Sequence, residues 1–486
     1  MSLSSAISNA LSGLTAATRG TELVSTNISN KSVAGYARRE LELSSRLYSG
    51  NGGGVAVDGV RRTVSAGLLA DNRLAQASAS NSGGIADFHA AIEEAYGTAD
   101  DSGALSAQLT ALDAALSAAS ARPDSDLRLA AVVEAASALT GRINDIAATI
   151  QAQRQAADKN IASDIDSLNT ALERVANLNR QITVLTAQGE DPSSLIDARQ
   201  AAIDEIAGIV PIQEVQRENG RVALFTKGGA ALLDGQQPAR LEFAPAAAIT
   251  PDMSLQNGAL ASVVLNGRTL STAEMSMLSG GSLSANFAIR DDLAPGYQSQ
   301  IDALAREIYV RFSDSTVDPT LAAGLPGIFT DSQAAFLPAN ELGLANRLSV
   351  NALVDTSQGG ALWRVRSGIG AAASGDLGDG SILLSMSAAM EASRPPASSA
   401  VSSAGRSLLG FVSELASTAA SQRISAQSLS TQEQSRADTL HTALLAQGVD
   451  TDTEMEALLS LERSYAANAR VLQTVNDMLD QILRLT

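Results

Sequence analysis

The chain contains no cysteine, so disulfides, thiol catalysis and thiolate metal ligation are excluded, while the compartment stays open. Histidine is nearly absent as well. His89 and His441 are the only two, far apart in stretches of helical pattern, so a histidine metal site or catalytic triad has little to build on. Both are expected to be packing or surface residues. No run of about twenty apolar residues occurs, so no membrane insertion is expected. Met1-Ser2-Leu3-Ser4 has neither the basic region nor the apolar core of a secretory signal, and Sec export is not expected either. Positive charge is scarce: the formal net charge of -18 argues against nucleic-acid binding, which needs concentrated Lys and Arg. The acidic surface reads as a solubility device.

Chemistry-bearing patterns are equally thin. The Gly50-Asn51-Gly52-Gly53-Gly54 run lacks the Lys-Ser/Thr and the preceding buried strand of a phosphate loop, and is expected to be a turn. Glu93-Glu94, Asp100-Asp101 and Asp291-Asp292 are adjacent pairs, which do not face one another on a helix and read as solvated charge. No nucleophile-base pair stands out, so the expectation is no enzyme, no cofactor and no metal.

What is present is organisation. With 486 residues the chain has room for about three domains, and 45% hydrophobic residues places it among folded proteins rather than disordered polymers. Leu3, Ile7, Ala10, Leu14, Ala17, Thr21, Val24 and Ile28 recur with 4-3 spacing, an a/d seam on one helix. Leu461, Tyr465, Asn468, Leu472, Val475, Leu479 and Ile482 repeat the device at the other end. Such seams need partners. They lie where chains usually fray, beside junction-like flanks at Asn30 to Gly35 and Gly448 to Asp452, which separates them from ordinary bundle helices. Asn468 is the kind of polar seam residue that fixes register.

Between the ends, Val55, Val57 and Val60 predict a short strand, and helical spacing runs from about Val64 to Tyr96. A long helix follows: Ile143, Ile146, Ile150, Ala157, Ile161, Leu168, Leu172, Val175, Leu178, Ile182 and Leu185 mark one face, with neither Pro nor Gly between Gly141 and Gly189. After Pro211 the pattern alternates. Strands are expected at Ile212 to Gln216, Val222 to Thr226 and about Ala261 to Leu265, with Asn219-Gly220 and Asn266-Gly267 as type I′ turns. A helix is expected at about Asp291 to Phe312, a strand-like patch at Leu362 to Val365, and helix again from about Ser381 to Gln447, broken at Pro395-Pro396. The fold class is therefore mainly α with a β-rich middle: terminal coiled-coil-type helices, an elongated helical rod and a central β domain. The expected division is 1–40 with 446–486 as a paired terminal unit, 41–210 with 381–445 as the rod, and 211–380 as the centre with an inserted helix near 291–312.

Several of these residues resemble a known family. Ser12-Gly13-Leu14, then Asn27-Ile28-Ser29-Asn30 leading to Gly35-Tyr36, is similar to the N-terminal signature of the flagellar axial proteins, which include rod, hook and hook-associated members. Val33-Ala34 stands where that family commonly carries Thr-Pro. Gly54-Val55-Ala56-Val57 with Arg61 or Arg62, Gly448-Val449-Asp450, and Tyr465 to Leu472 resemble further blocks of the pattern. Leu195-Ile196-Asp197-Ala198-Arg199, Ile209-Val210, Gly220 to Gly235 and Gly280-Gly281-Ser282-Leu283 with Arg290-Asp291 resemble its hook-associated branch. The resemblance implies a secreted structural subunit, exported through the flagellar type III apparatus and placed at the hook-filament junction. It also implies a tubular homo-oligomer, with the hook protein, the next hook-associated junction protein and an export chaperone as partners. Its assembly interface would be Leu3, Ile7, Leu14, Val24, Asn27, Ile28, Asn30, Leu461, Tyr465, Asn468, Leu472, Val475, Leu479 and Ile482. A hook or rod component, or a cytoplasmic coiled-coil scaffold, stays open at this point.

Overall fold

The computed structural model describes residues 3–33, 35–48, 51–98 and 101–485. Readings that fall on Met1, Ser2, Ala34, Gly50 and Asp100 lie outside the described residues. Helix α1 (Leu3–Asn30) leads through a turn to an antiparallel hairpin, β1 (Arg38–Tyr48) and β2 (Asn51–Thr63). Four helices follow: α2 (Ala66–Tyr96), α3 (Leu105–Ala121), α4 (Asp126–Gln188) and α5 (Ser193–Ile209). Next come β3 (Ile212–Gln216), β4 (Val222–Thr226), β5 (Ala231–Leu233), β6 (Leu241–Glu242), β7 (Val264–Leu265) and β8 (Arg268–Thr269). Helices α6 (Gly281–Ala288) and α7 (Ala294–Phe312) are joined by a π-helical turn at Ile289–Leu293. Then β9 (Phe329–Asp331), α8 (Leu344–Arg347), β10 (Leu348–Val350) and α9 (Trp363–Ser367) precede α10 (Ser381–Glu391), α11 (Leu408–Ala446) and α12 (Thr451–Leu485). The architecture is mainly helical, with small antiparallel sheets in the middle of the chain.

Helix α4 is the spine. Its 63 residues span about 95 Å at 1.5 Å per residue. The face marked by Ile143 to Ile182 is buried as expected, and Leu185 is half-buried. The helix starts well before the expected boundary at Gly141, because Leu129, Val132, Ala136 and Leu139 prolong the same buried stripe. Gly141 faces open space, where a glycine costs a helix only about 1 kcal/mol relative to alanine. The far end is closed by a Schellman motif: Gly189 adopts φ 74°, its N–H donates to Thr186 O, and Glu190 N–H reaches Leu185 O.

Two apolar cores lie along this spine. One joins Leu129 to Ala157 of α4 with α3, α7, α10, the end of α2 and the start of α11. The other joins Ile161 to Ala176 with α5, α6 and β3 to β5. Residues 211–380 thus contribute to both. Between the cores sits a buried ionic layer. Arg290 is fully buried, donates to Asp158 at 2.8 Å and to Asp291 at 2.8 Å, and lies over the Phe243 and Phe287 rings. Arg154 donates to the Arg290 carbonyl at 2.7 Å and to those of Thr250 and Met253.

Both Asn-Gly hairpin turns form, since Asn219, Gly220, Asn266 and Gly267 all take positive φ, as a type I′ turn demands. Three sequence expectations are corrected. The strand-like patch at Leu362 to Val365 is helical instead: Leu362 is the N-cap of α9 and Trp363 to Val365 form its first turn, a period that four residues are too few to reveal. The strand at Ala261 to Leu265 shrinks to Val264–Leu265. The helix expected from Asp291 begins at Gly281, the π turn carrying it through Arg290. The helical stretch after Ser381 is interrupted as the Pro pair requires.

His89 is a packing residue, buried beside Phe88 and Tyr297, with Nδ1 3.0 Å from the Tyr297 hydroxyl. Burial lowers its pKa, so the folded chain keeps the ring neutral where the unfolded chain, with an ordinary value of about 6.5, takes a proton. Its contribution is therefore intact above pH 6.5 and is lost as pH falls from there towards the folded pKa. His89→Phe should flatten the acid side of the melting temperature plotted against pH. Parallel curves for the two proteins would count against a neutral buried His89.

Candidate assembly interface

The two ends of the chain pack against each other. Helices α1 and α12 run antiparallel, and their contacts repeat every seven residues. A β-carbon on Gly13 would lie 2.6 Å from Asn468 Nδ2, one on Gly20 would lie 2.8 Å from a Leu461 methyl, and Asn27 Nδ2 donates to Glu454 Oε2 at 3.1 Å. The α1 side of this contact is built from small residues, with Ala10, Ala17 and Gly20 buried, so the helix axes approach closely. On its other flank α1 carries the β1–β2 hairpin, seated where Ser12 Oγ accepts from Val55 N–H at 3.1 Å. Gly54, at φ 94°, makes that approach possible: a β-carbon there would stand 2.1 Å from Ser12 Oγ. The glycine run, expected as a turn, is strand instead over its described residues, with Asn51 to Gly54 opening β2 and pairing with Tyr48 and Leu47 of β1.

Asn27 is the hub. It is 1% exposed, and all its hydrogen-bonding capacity is used. Nδ2 donates to Arg39 O (3.0 Å) and Glu454; Oδ1 accepts from Arg39 N–H (3.1 Å) and the Tyr36 hydroxyl (2.8 Å). Glu454, equally buried, accepts from Arg38 Nε at 2.7 Å, and that bond raises the Arg38 pKa. Burial pushes the Tyr36 phenol up, which keeps it a donor. One side chain thus ties α1, the following turn, β1 and α12 together. The boundary expected at residue 40 falls inside β1, which packs with α1.

The seam residues read from sequence are distributed unevenly. On α1, Val24 and Asn27 are buried; Leu3, Ile7, Leu14, Ile28 and Asn30 are half-buried, and Thr21 is exposed. The contact face is rotated towards the glycines. On α12, Val475 is buried and Leu461, Asn468, Leu472 and Leu479 are half-buried, whereas Tyr465 and Ile482 are 49% and 51% exposed. At about 100° per residue, Val471, Met478 and Ile482 line one side of the α1 contact, and Tyr465 and Leu483 line the other. All five are exposed. The apolar arc of α12 is therefore wider than one partner helix covers. Gly13 entered the sequence reading only within the run Ser12-Gly13-Leu14 and Gly20 not at all, although their seven-residue spacing was the available signal for a contact; for Glu454 and Arg38 only the fold provides one.

No metal-binding cluster of His, Asp or Glu occurs among the described residues, and none of the described helices is long and apolar enough to cross a membrane.

Comparison with known proteins bears on this geometry. Residues 90–316 match the family described as flagellar hook-associated protein FlgK helical domain, and residues 442–485 match the flagellar basal body rod FlgEFG protein C-terminal family. Flagellar hook-associated protein 1 of Salmonella typhimurium is 29% identical over 253 residues, 51% of this chain and 45% of that protein. The Escherichia coli protein of the same name is 27% identical over 253 residues, 51% of this chain and 46% of its own. The matched region thus spans about half the length of these relatives. A solved structure, the flagellar hook junction protein FlgK from Burkholderia pseudomallei, superposes with a TM-score of 0.44 at 19% identity, covering 54% of this chain and 46% of that one.

Proposed function

We propose that this chain, which carries the helical domain of the flagellar hook-associated protein FlgK family, is a non-enzymatic structural subunit at the junction of hook and filament. The observation that carries the reading is the antiparallel pairing of α1 with α12, which leaves an apolar arc of α12 uncovered. Repeated side by side, such pairs build the inner wall of a tube, each uncovered arc closing on the next subunit. Burying a large apolar side chain contributes about 1.5–3 kcal/mol, and every subunit repeats the gain. The residues of Leu3 to Asn30 and Leu461 to Ile482 named from sequence are the proposed interface. The rod stands outside it and is taken from Ala66, not from residue 41, because the β1–β2 hairpin packs with α1; it continues to 210 and through 381–445, and 211–380 lies between its two segments in the chain.

The reading also assigns export through the flagellar type III apparatus with a chaperone, and contact with the hook protein on one side and the next junction protein on the other. Immunogold labelling of isolated flagella tests the placement: gold should collect at the hook-filament boundary. Label along the hook, in the rod or in the cytoplasm would overturn it. The match of residues 442–485 to rod proteins favours a rod component as the second reading, and the same grids separate the two. Deleting residues 2–30 should leave a soluble protein inside the cell. Normal amounts of that protein in the medium would defeat the export assignment.

A further inference from the structure

The terminal elements are fastened to the rod in an unusual way. Among the described residues, neither apolar core includes any from α1, β1, β2 or α12. The terminal unit is linked to the rod covalently at two places, from Thr63 to Ala66 and from Ala446 to Thr451. Between these links lies a cavity of about 640 Å³, walled by Val33, Tyr36, Val64, Leu69, Leu444 and Val449 among others. Two chain connections beside an open cavity define a hinge axis, not a fixed angle.

A third attachment is polar. Asp197, on α5 of the rod and 7% exposed, accepts from Arg39 Nη2 at 2.6 Å and from Arg62 Nε at 2.8 Å, and receives Ala37 N–H at 3.4 Å. Arg39 and Arg62 stand opposite each other across the hairpin, so one rod carboxylate grips both strands at their base. Arg39 is in turn the residue whose backbone holds Asn27 of α1. From these contacts we infer that Asp197 is a positioning residue: it clasps the hairpin, and through Arg39 and Asn27 it sets the angle between the terminal helix pair and the rod. The joint is held by ion pairs and hydrogen bonds, beside a close backbone approach of Gly35 to Asp197 O and Ala201 on α5. Charge-assisted contacts of this kind fix direction well, and they can be released without opening an apolar core.

The inference concerns the isolated subunit and stands whether or not the flagellar placement holds. Because the chain has no cysteine, Thr18→Cys and Ser167→Cys, both at exposed positions, give two clean spin-label sites on α1 and α4. Pulsed electron-electron resonance on the full chain should return one narrow distance distribution. Adding Asp197→Ala should at least double its width while helix content and melting stay near wild type, since both cores are intact. If Asp197→Ala does not fold, Arg39→Met with Arg62→Met removes the same clasp from the other side and is read in the same way. A width unchanged in the variant that folds would mean the backbone connections set the angle, and the inference would be wrong.

Discussion

Arg290→Met is expected to cost about 3–5 kcal/mol of folding stability, the range for removing one partner of a buried ion pair. The side chain is fully buried and Asp158 is 1% exposed. Methionine fills much the same space. It cannot donate, so the Asp158 carboxylate keeps only the Ala246 N–H at 2.7 Å as a hydrogen bond and loses its direct ion pair between the two cores, with Arg154 the remaining nearby cation. The layer lies on α4 where one core ends and the other begins, so the loss should be felt by both, and denaturant unfolding should shift as a single transition. Replacing the pair together, Arg290→Met with Asp158→Leu, should recover much of the loss, because the buried Asp158 carboxylate is then gone and Asp291, which also loses its partner, is 22% exposed and can be solvated. A single-variant cost below about 1 kcal/mol would show that water reaches Asp158 and that the layer is not sealed.

Gly20→Leu should abolish assembly while sparing the rod. A β-carbon at this position already meets both Leu461 methyls within 3 Å, and a leucine adds three more carbons that the half-buried Leu461 side chain must swing aside to admit. Overpacking typically costs about 1–3 kcal/mol, and here it falls on a helix pair that has no apolar core behind it. The terminal helices should separate. Amide exchange in 3–30 and 451–485 should rise sharply, and purified subunits should no longer form tubes or complement a strain lacking the protein. Melting of the rod should match wild type. Leu461→Ala in the same chain reopens the space and should restore pairing, which separates a steric cause from a general folding defect. A tube-forming Gly20→Leu protein would remove the α1–α12 contact from the assembly reading.

Legibility followed the physics of each signal. Periodicity over many turns was readable: the buried face of α4 from Ile143 to Ile182 stands in the sequence because burial repeats every three to four residues and averages out local exceptions. Positive-φ turns at Asn219-Gly220 and Asn266-Gly267 were readable because few residue types tolerate that backbone. Short segments failed, as at Leu362 to Val365, where four residues fit either period. As contact positions Gly13 and Gly20 were passed over because a reading that looks for large apolar residues gives no weight to the absence of a side chain, although absence is what lets α12 approach.

The sequence by itself determined that this is a helical, cysteine-free, acidic chain with a partner-seeking seam at each end. Those properties follow from composition and local spacing, which need no knowledge of what lies opposite. Pairing of the two ends was already expected from sequence; only the tertiary structure decided how the seams meet, Gly13 with Asn468 and Gly20 with Leu461, and that Asn27 and Asp197 tie them to the rod. Helix pairing and buried polar contacts depend on residues more than four hundred positions apart in one case and some 160 in the other. A one-dimensional pattern states that a face must be covered. Which face covers it is settled by the closest packing available to the folded chain.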